Sequence, residues 1–278
     1  MASKFMFLKI LFLKMANRFV EDDIGSLAAA LSYYMIFSFF PILIIMSIIL
    51  GRLGISAQQW QIMLGNILPE DVVDIALKYL SFVNSTDSVK VLLASLVFTI
   101  YFPVRAVKKL MDGINHAYNR EGRNGFIKKY LSVLVFAMCV YVMVIFSIVI
   151  LSVGERAAEV LLRALGLPID FAQIWGYVRF IALWLIGNGM VLALHYISPE
   201  EKMRIRYMIP GCVLSVSIWT VVSAIFSYYV KYIGRYSILY GSIGAAMILL
   251  YWLYITAIIL LMGAEFSSVL REIRSVRS

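Results

Sequence analysis

Charge is scarce in this chain. Asp, Glu, Lys and Arg make up 15% of its 278 residues, against about 25% in ordinary soluble domains. Hydrophobic residues make up 62%, where about 45–50% is usual, so water is not its main solvent. Cysteine and histidine are scarcer still. Cys139 and Cys212 each fall inside a long apolar run, and His116 and His195 stand far apart. That excludes a disulfide framework and any zinc-ligand spacing, while two thiols leave the redox compartment open. Also missing are the Gly-x-x-x-x-Gly-Lys-Ser/Thr phosphate loop, a paired-histidine metal motif and the Gly-x-Ser-x-Gly nucleophile turn. The expectation is therefore no enzyme, no metal and no cofactor. A transporter built on this chain has no ATPase of its own and runs passively, on a gradient or with a partner.

What is present is apolar length. Crossing the hydrocarbon layer takes about 20 mostly apolar residues, and runs near 27–50, 131–153, 174–197, 207–230 and 238–262 meet that length. A sixth run, 89–104, is short before Arg105 and spans with its ends in the interface. Residues 3–19 set Lys4, Lys9, Lys14 and Arg18 among Phe, Leu and Met, the pattern of a basic helix lying on an anionic leaflet. No uninterrupted apolar core with a small-residue cleavage site marks a signal peptide there. The segment 56–84 is expected to form two short interfacial helices broken at Pro69. The fold class is thus all-α, a polytopic membrane helix bundle of about six spans, and 1–278 forms a single integral-membrane domain. With the N-terminus inside, 17 of the 25 Lys and Arg residues fall on internal segments, which puts both termini in the cytoplasm. The net charge of +9 then belongs to membrane loops, and no nucleic-acid surface is expected.

Polar or helix-breaking groups at membrane depth are costly and serve as candidate sites. In the first span Pro41 cannot donate to the Phe37 carbonyl. It is either a kink compensated by Ser38 or the wall of a cavity. Gly187-Asn188-Gly189 lies near the middle of the fourth span, where transporters place unwound backbone, although glycines also serve close packing and an Asn can bridge helices. Arg105, Lys108, Asp112 and Asn115 recur at spacings of three and four and share one helix face. That face can hold an anionic or phosphate-bearing group through forked hydrogen bonds, or contact ordinary lipid. Glu265, at the inner end of the last span, needs a partner, for which a base on the Arg105 face is the expectation. Glu21-Asp22-Asp23 is read as capping the first span, and Trp175, Trp219, Tyr240, Trp252 and Tyr254 as belt or packing aromatics.

Several of these stretches resemble the YihY/BrkB family. They are Asp23-Ile-Gly-Ser-Leu-Ala-Ala-Ala-Leu-Ser-Tyr-Tyr34 continuing to Ser38-Phe-Phe-Pro41, Arg105 through Gly113-Ile-Asn-His-Ala-Tyr118, Ile209-Pro-Gly211 with Trp219, and Tyr240-Gly-Ser-Ile-Gly244 through Trp252-Leu-Tyr254 to Gly263-Ala-Glu265. The resemblance covers nearly the whole chain in order. It implies a bacterial inner-membrane protein of six spans, in a family proposed to export or flip envelope-related or phosphorylated solutes and once labelled ribonuclease BN. The residues argue against the nuclease, because the acidic clusters at 21–23 and 70–74 fall on opposite sides of the membrane.

Two readings of function follow. In the first, the chain is a transporter or lipid flippase for an anionic or amphiphilic substrate, whose path runs through a polar cavity between spans one, two and four. It passes Pro41 and residues 187–189 and meets Arg105 and Asn115 at the cytoplasmic mouth. In the second it is a non-transporting scaffold for envelope biogenesis, close-packed and dry. Membrane lipids are the expected partners; the oligomeric state is not legible.

Overall fold

The computed structural model describes residues 2–52, 73, 77–78, 89–118, 131, 133–139, 142, 171–198, 204–232 and 236–275, and these are helical apart from short turns. In chain order the long helices are α1 (Ala2–Glu21), α2 (Ile24–Arg52), α3 (Val89–Ala117), α4 (Phe171–Ile197), α5 (Ile205–Tyr232) and α6 (Tyr236–Ser275). Three of them carry apolar stretches long enough to cross a membrane: Phe180–Ile197, Ile205–Val230 and Ala246–Ile273. Ile24–Ser38 opens α2 as a shorter apolar run. The expected interfacial helices at 56–84, and most of the run at 131–153, lie outside the described residues.

The basic N-terminal segment is helical and slightly longer than its pattern suggested. Its apolar side chains, Phe5, Met6, Phe12, Leu13 and Val20 among them, are exposed. The acidic triplet is divided between two helices: Glu21 closes α1, and Asp22 and Asp23 form the turn that directly precedes α2. Asp23 sits at φ 46°, a left-handed conformation that Asp tolerates better than bulkier residues. Its carbonyl accepts the Leu27 N–H at 3.1 Å and so begins α2.

The short apolar run at 89–104 belongs to a long helix. At about 1.5 Å per residue the 29 residues of α3 reach well past the roughly 30 Å hydrocarbon core, and the helix continues through Pro103 and Arg105 to Ala117. The 40 residues of α6 cover about twice that core.

Packing is concentrated at one end. Ile24, Ala28 and Leu31 of α2 meet Val107, Leu110, Met111 and Ile114 of α3, Leu194 of α4, Met208 of α5 and Ala257, Leu261 and Ala264 of α6. Val133, Phe136 and Ala137 join the same core. The end of α1 and the end of α6 meet there through Lys14, Arg18 and Glu272, so it is called the terminal end below. Helix α6 is the spine, packing against α1, α2, α3 and α5.

The α5–α6 crossing is made by small residues. The Gly211 N–H donates to Ser267 Oγ at 3.0 Å, and Ser267 Oγ donates to the Met208 carbonyl at 3.1 Å. Ser215 donates to the Ile259 carbonyl at 3.1 Å. Trp219 Nε1 donates to Thr256 at 3.1 Å and Trp252 Nε1 to Ser223 at 3.3 Å, so both tryptophans pack between helices with their polar atoms satisfied. A Cβ on Gly211 would run into the Gly263 carbonyl and Ser267, and one on Gly263 into Ser215.

Overpacking of this kind costs typically about 1–3 kcal/mol. Gly263→Val is therefore expected to lower the thermal midpoint of the detergent-purified protein, followed by fluorescence-detected gel filtration. Gly189→Ala, where a Cβ meets nothing within 4 Å, should leave the midpoint within a degree or so of wild type.

Candidate functional site

Two features stand out beyond the packed core: an apolar cavity between helices and a buried charge cluster at the terminal end. The cavity has a volume of about 1160 Å³ and lies between α2, α5 and α6, a little above the roughly 300–1,000 Å³ of small-molecule pockets. Ile225, Phe226, Tyr33, Tyr229, Tyr251 and Tyr254 line it. The Ser32 hydroxyl, also on the wall, donates to the Ala29 carbonyl of its own helix at 2.8 Å. What remains is hydrocarbon and aromatic surface that includes four tyrosines, a lining that suits an apolar tail.

The charge cluster centres on Arg18. Its guanidinium lies 2.6 Å from Glu272, 3.5 Å from Asp22 and 3.9 Å from Glu265. Burial by itself would make Arg18 easier to deprotonate, but Glu265, Glu272 and Asp22 outweigh that and raise its pKa. Lys14 reaches Glu272 at 3.0 Å, and His116 Nε2 lies 3.2 Å from Asp22. Glu265 is 0% exposed, and neither of its oxygens has a hydrogen-bond partner. Nearby, the Tyr118 hydroxyl and His195 Nδ1 stand 3.0 Å apart. Burial pushes the Tyr118 phenol up, so it stays neutral.

The candidates read from sequence are only partly brought together. Arg105 is exposed, with its guanidinium 5.2 Å from the Tyr101 ring centroid. Lys108, Asp112 and Asn115 follow along α3, and Asn115 Oδ1 is buried without a partner. None of these four lines the cavity. The base beside Glu265 comes from α1 and not from the Arg105 face. Helix α2 is unbroken at Pro41, and Ser38 donates to the Tyr34 carbonyl at 2.7 Å. Helix α4 also runs unbroken through residues 187–189, without the unwinding that the Gly-Asn-Gly pattern allowed. Gly187 faces Val216 of α5, where a Cβ would make an ordinary contact at 3.5 Å. Asn188 Nδ2 donates to the Trp184 carbonyl at 2.8 Å, while its Oδ1 is buried and unpartnered.

The pattern of sequence likeness agrees with this architecture. A family model described as virulence factor BrkB matches residues 15–278. The chain belongs to this family. The ribonuclease-like protein YfkH of Bacillus subtilis (strain 168) is 24% identical over 96% of this chain and 95% of its own length. The UPF0761 membrane protein of Tolumonas auensis is 24% identical over 92% of this chain and 83% of its own length. The UPF0761 membrane protein VSAL_I2938 of Aliivibrio salmonicida is 23% identical over 94% and 83%. No solved structure matches. The chain is a membrane protein, as the two UPF0761 relatives are named. The matched region takes in Arg18, Asp22, His116 and Glu265 together with every residue lining the cavity.

Sequence reasoning missed Arg18, Asp22 and His116. The Arg18–Asp22 spacing of four was a legible signal, but both had been given roles at separate elements. Removing one partner of a buried pair costs about 3–5 kcal/mol, whereas an exposed pair contributes about 0.2–1 kcal/mol. Arg18→Met is therefore expected to destabilise the protein by several times more than Lys14→Met, measured by denaturant midpoints in detergent. Arg18→Met combined with Glu265→Leu should recover part of the loss.

Proposed function

We propose that the chain is a membrane transporter or lipid flippase for an anionic or amphiphilic envelope-related substrate, acting without an ATPase of its own in the bacterial inner membrane. The observation that carries this reading is the cavity between α2, α5 and α6, whose largely apolar walls, with four tyrosines among them, suit a molecule with a hydrocarbon tail. The location differs from the polar path between spans one, two and four that the sequence pointed to, and it moves the emphasis from a small anion to an amphiphile.

Two further features support the reading. The lysine and arginine bias supports a cytoplasmic terminal end, and the contact of α1 with the end of α6 is in keeping with both ends on one side. Exposed Arg105 and the basic residues that follow it then draw anionic head groups toward the same leaflet. The tail occupies the cavity while the head travels along its edge.

The test uses vesicles of phosphatidylethanolamine and phosphatidylglycerol carrying a tail-labelled fluorescent phosphatidylglycerol, quenched from outside by dithionite. Vesicles containing the protein should lose inner-leaflet fluorescence faster than empty ones. Ile225→Trp, which fills the cavity, should slow this by roughly tenfold, equivalent to about 1.4 kcal/mol of barrier. Equal rates with and without protein would remove the flippase reading and favour the scaffold.

A further inference from the structure

The charge cluster is out of balance. Among the ion pairs of the described residues, Asp22, Glu265 and Glu272 share two cations, Arg18 and Lys14, one fewer than the carboxylates before His116 and Arg271 are counted. The excess sits where it is least tolerable. Glu265 is 0% exposed, and its nearest cation, at 3.9 Å, is shared with two other carboxylates.

The unsatisfied atoms say what is needed. Asp22 Oδ2 and both oxygens of Glu265 are buried acceptors without a hydrogen-bond donor, and the two carboxyl groups flank one guanidinium, with Arg18 3.5 Å from Asp22 and 3.9 Å from Glu265. Two ionised carboxylates offer acceptors only, whereas one proton between them turns an acceptor pair into a donor and an acceptor. Such a proton belongs to the pair and not to either residue. The cluster also has an outlet. His116 is 57% exposed at its side chain and touches the other oxygen of Asp22 at 3.2 Å.

We propose that Asp22 and Glu265 form a proton-carrying carboxyl pair that exchanges with water through His116, and that this proton couples substrate movement to a gradient. On uptake a proton moves from water to the His116 ring, from His116 Nε2 to Asp22, and comes to lie between Asp22 and Glu265; release reverses those steps. The groups facing Glu265 are Arg18 of α1, Asp22 of the turn, Tyr118 after α3 and Glu272 of its own helix. Lys14 holds Glu272, and Cys212 of α5 and Arg271 of α6 flank Tyr118. The coupling half rests on the transport reading above; the proton-binding half does not.

Infrared difference spectroscopy of the full chain in phosphatidylethanolamine and phosphatidylglycerol vesicles, with pH stepped at constant Na⁺, tests the binding half without any substrate. The wild type should show a carboxylic-acid C=O band that shifts in D₂O and is absent from both Glu265→Gln and Asp22→Asn. In each variant the new amide N–H donates to the remaining carboxylate, so both are expected to fold. His116→Gln should keep the band but slow its recovery after a pH jump by roughly tenfold. If the carboxyl variants do not fold, this exchange rate still decides. Identical spectra in wild type and variants, recovery unaffected by His116→Gln, or a band that follows Na⁺ and not pH would each overturn the pair. The coupling half is read from lipid flux across vesicles with an imposed pH gradient. Flux that responds to the gradient in wild type but not in Glu265→Gln supports it. Flux that ignores the gradient in wild type overturns it while leaving transport intact, and no flux at all removes transport but not the infrared result.

Discussion

Everything at the terminal end depends on one guanidinium. Arg18 is 16% exposed at its side chain and is held by Asp22, Glu265 and Glu272, and this set of contacts fixes α1 against α6. Without it, α1 is an amphipathic helix with exposed apolar side chains and a weak hold on the bundle. A planar guanidinium suits this role because its five donors can serve several carboxylates at once, which a lysine ammonium does with less directional reach. Helical bonding runs as far as the Asp22 N–H, which donates to the Arg18 carbonyl at 3.0 Å, so Arg18 and Asp22 share one face.

Helix α6 carries that constraint into the rest of the fold. It meets α1 and α3 near its end, crosses α5 by small residues, and further along forms one wall of the apolar cavity. The Gly211–Gly263 crossing brings two backbones so close that the helices have little freedom to slide there. Beyond it the packed residues give way to the tyrosine-lined cavity. Among the described residues the bundle is thus packed on one side of the crossing and leaves the cavity on the other. The unbroken courses of α2 at Pro41 and of α4 at residues 187–189 fit that arrangement better than one built on unwound segments.

The all-helical class, the membrane setting and the family were legible because each rests on composition or on local order along the chain. Apolar length near 20 residues, basic residues between runs, and motifs such as Tyr240-Gly-Ser-Ile-Gly244 need no knowledge of what lies beside them. The continuation of α3 past Arg105 was legible for the same reason, through its spacing of three and four. Partners across the fold were not. Glu265 plainly needed a cation, but whether Arg18 or Arg105 supplied it depends on how α1 packs, and that turns on the backbone of one residue, Asp23. The cavity was illegible for a related reason. Its walls are Ile, Phe, Met and Tyr, indistinguishable in sequence from lipid-facing surface, so attention went to the rare polar residues of the first and fourth spans.

A fully buried carboxyl is not what stability alone would select. Replacing a buried ion pair by well-packed hydrophobic side chains is often neutral or favourable by about 1–4 kcal/mol, and the surroundings of Glu265, with Ala264 and Leu261 beside it in the core, would accept a leucine. Part of that cost is repaid in the hold on Arg18, and the proton-carrying role proposed above would account for the rest. A group that must change its charge has to sit where charge is expensive, because only there does gaining or losing a proton alter the balance between two helix arrangements by a useful amount. Glu265 meets that condition at the junction of α1, α3 and α6, on the same helix that walls the cavity. On the proton-carrying reading, a change in its charge would act first on Arg18, and through it on the contact between α1 and α6.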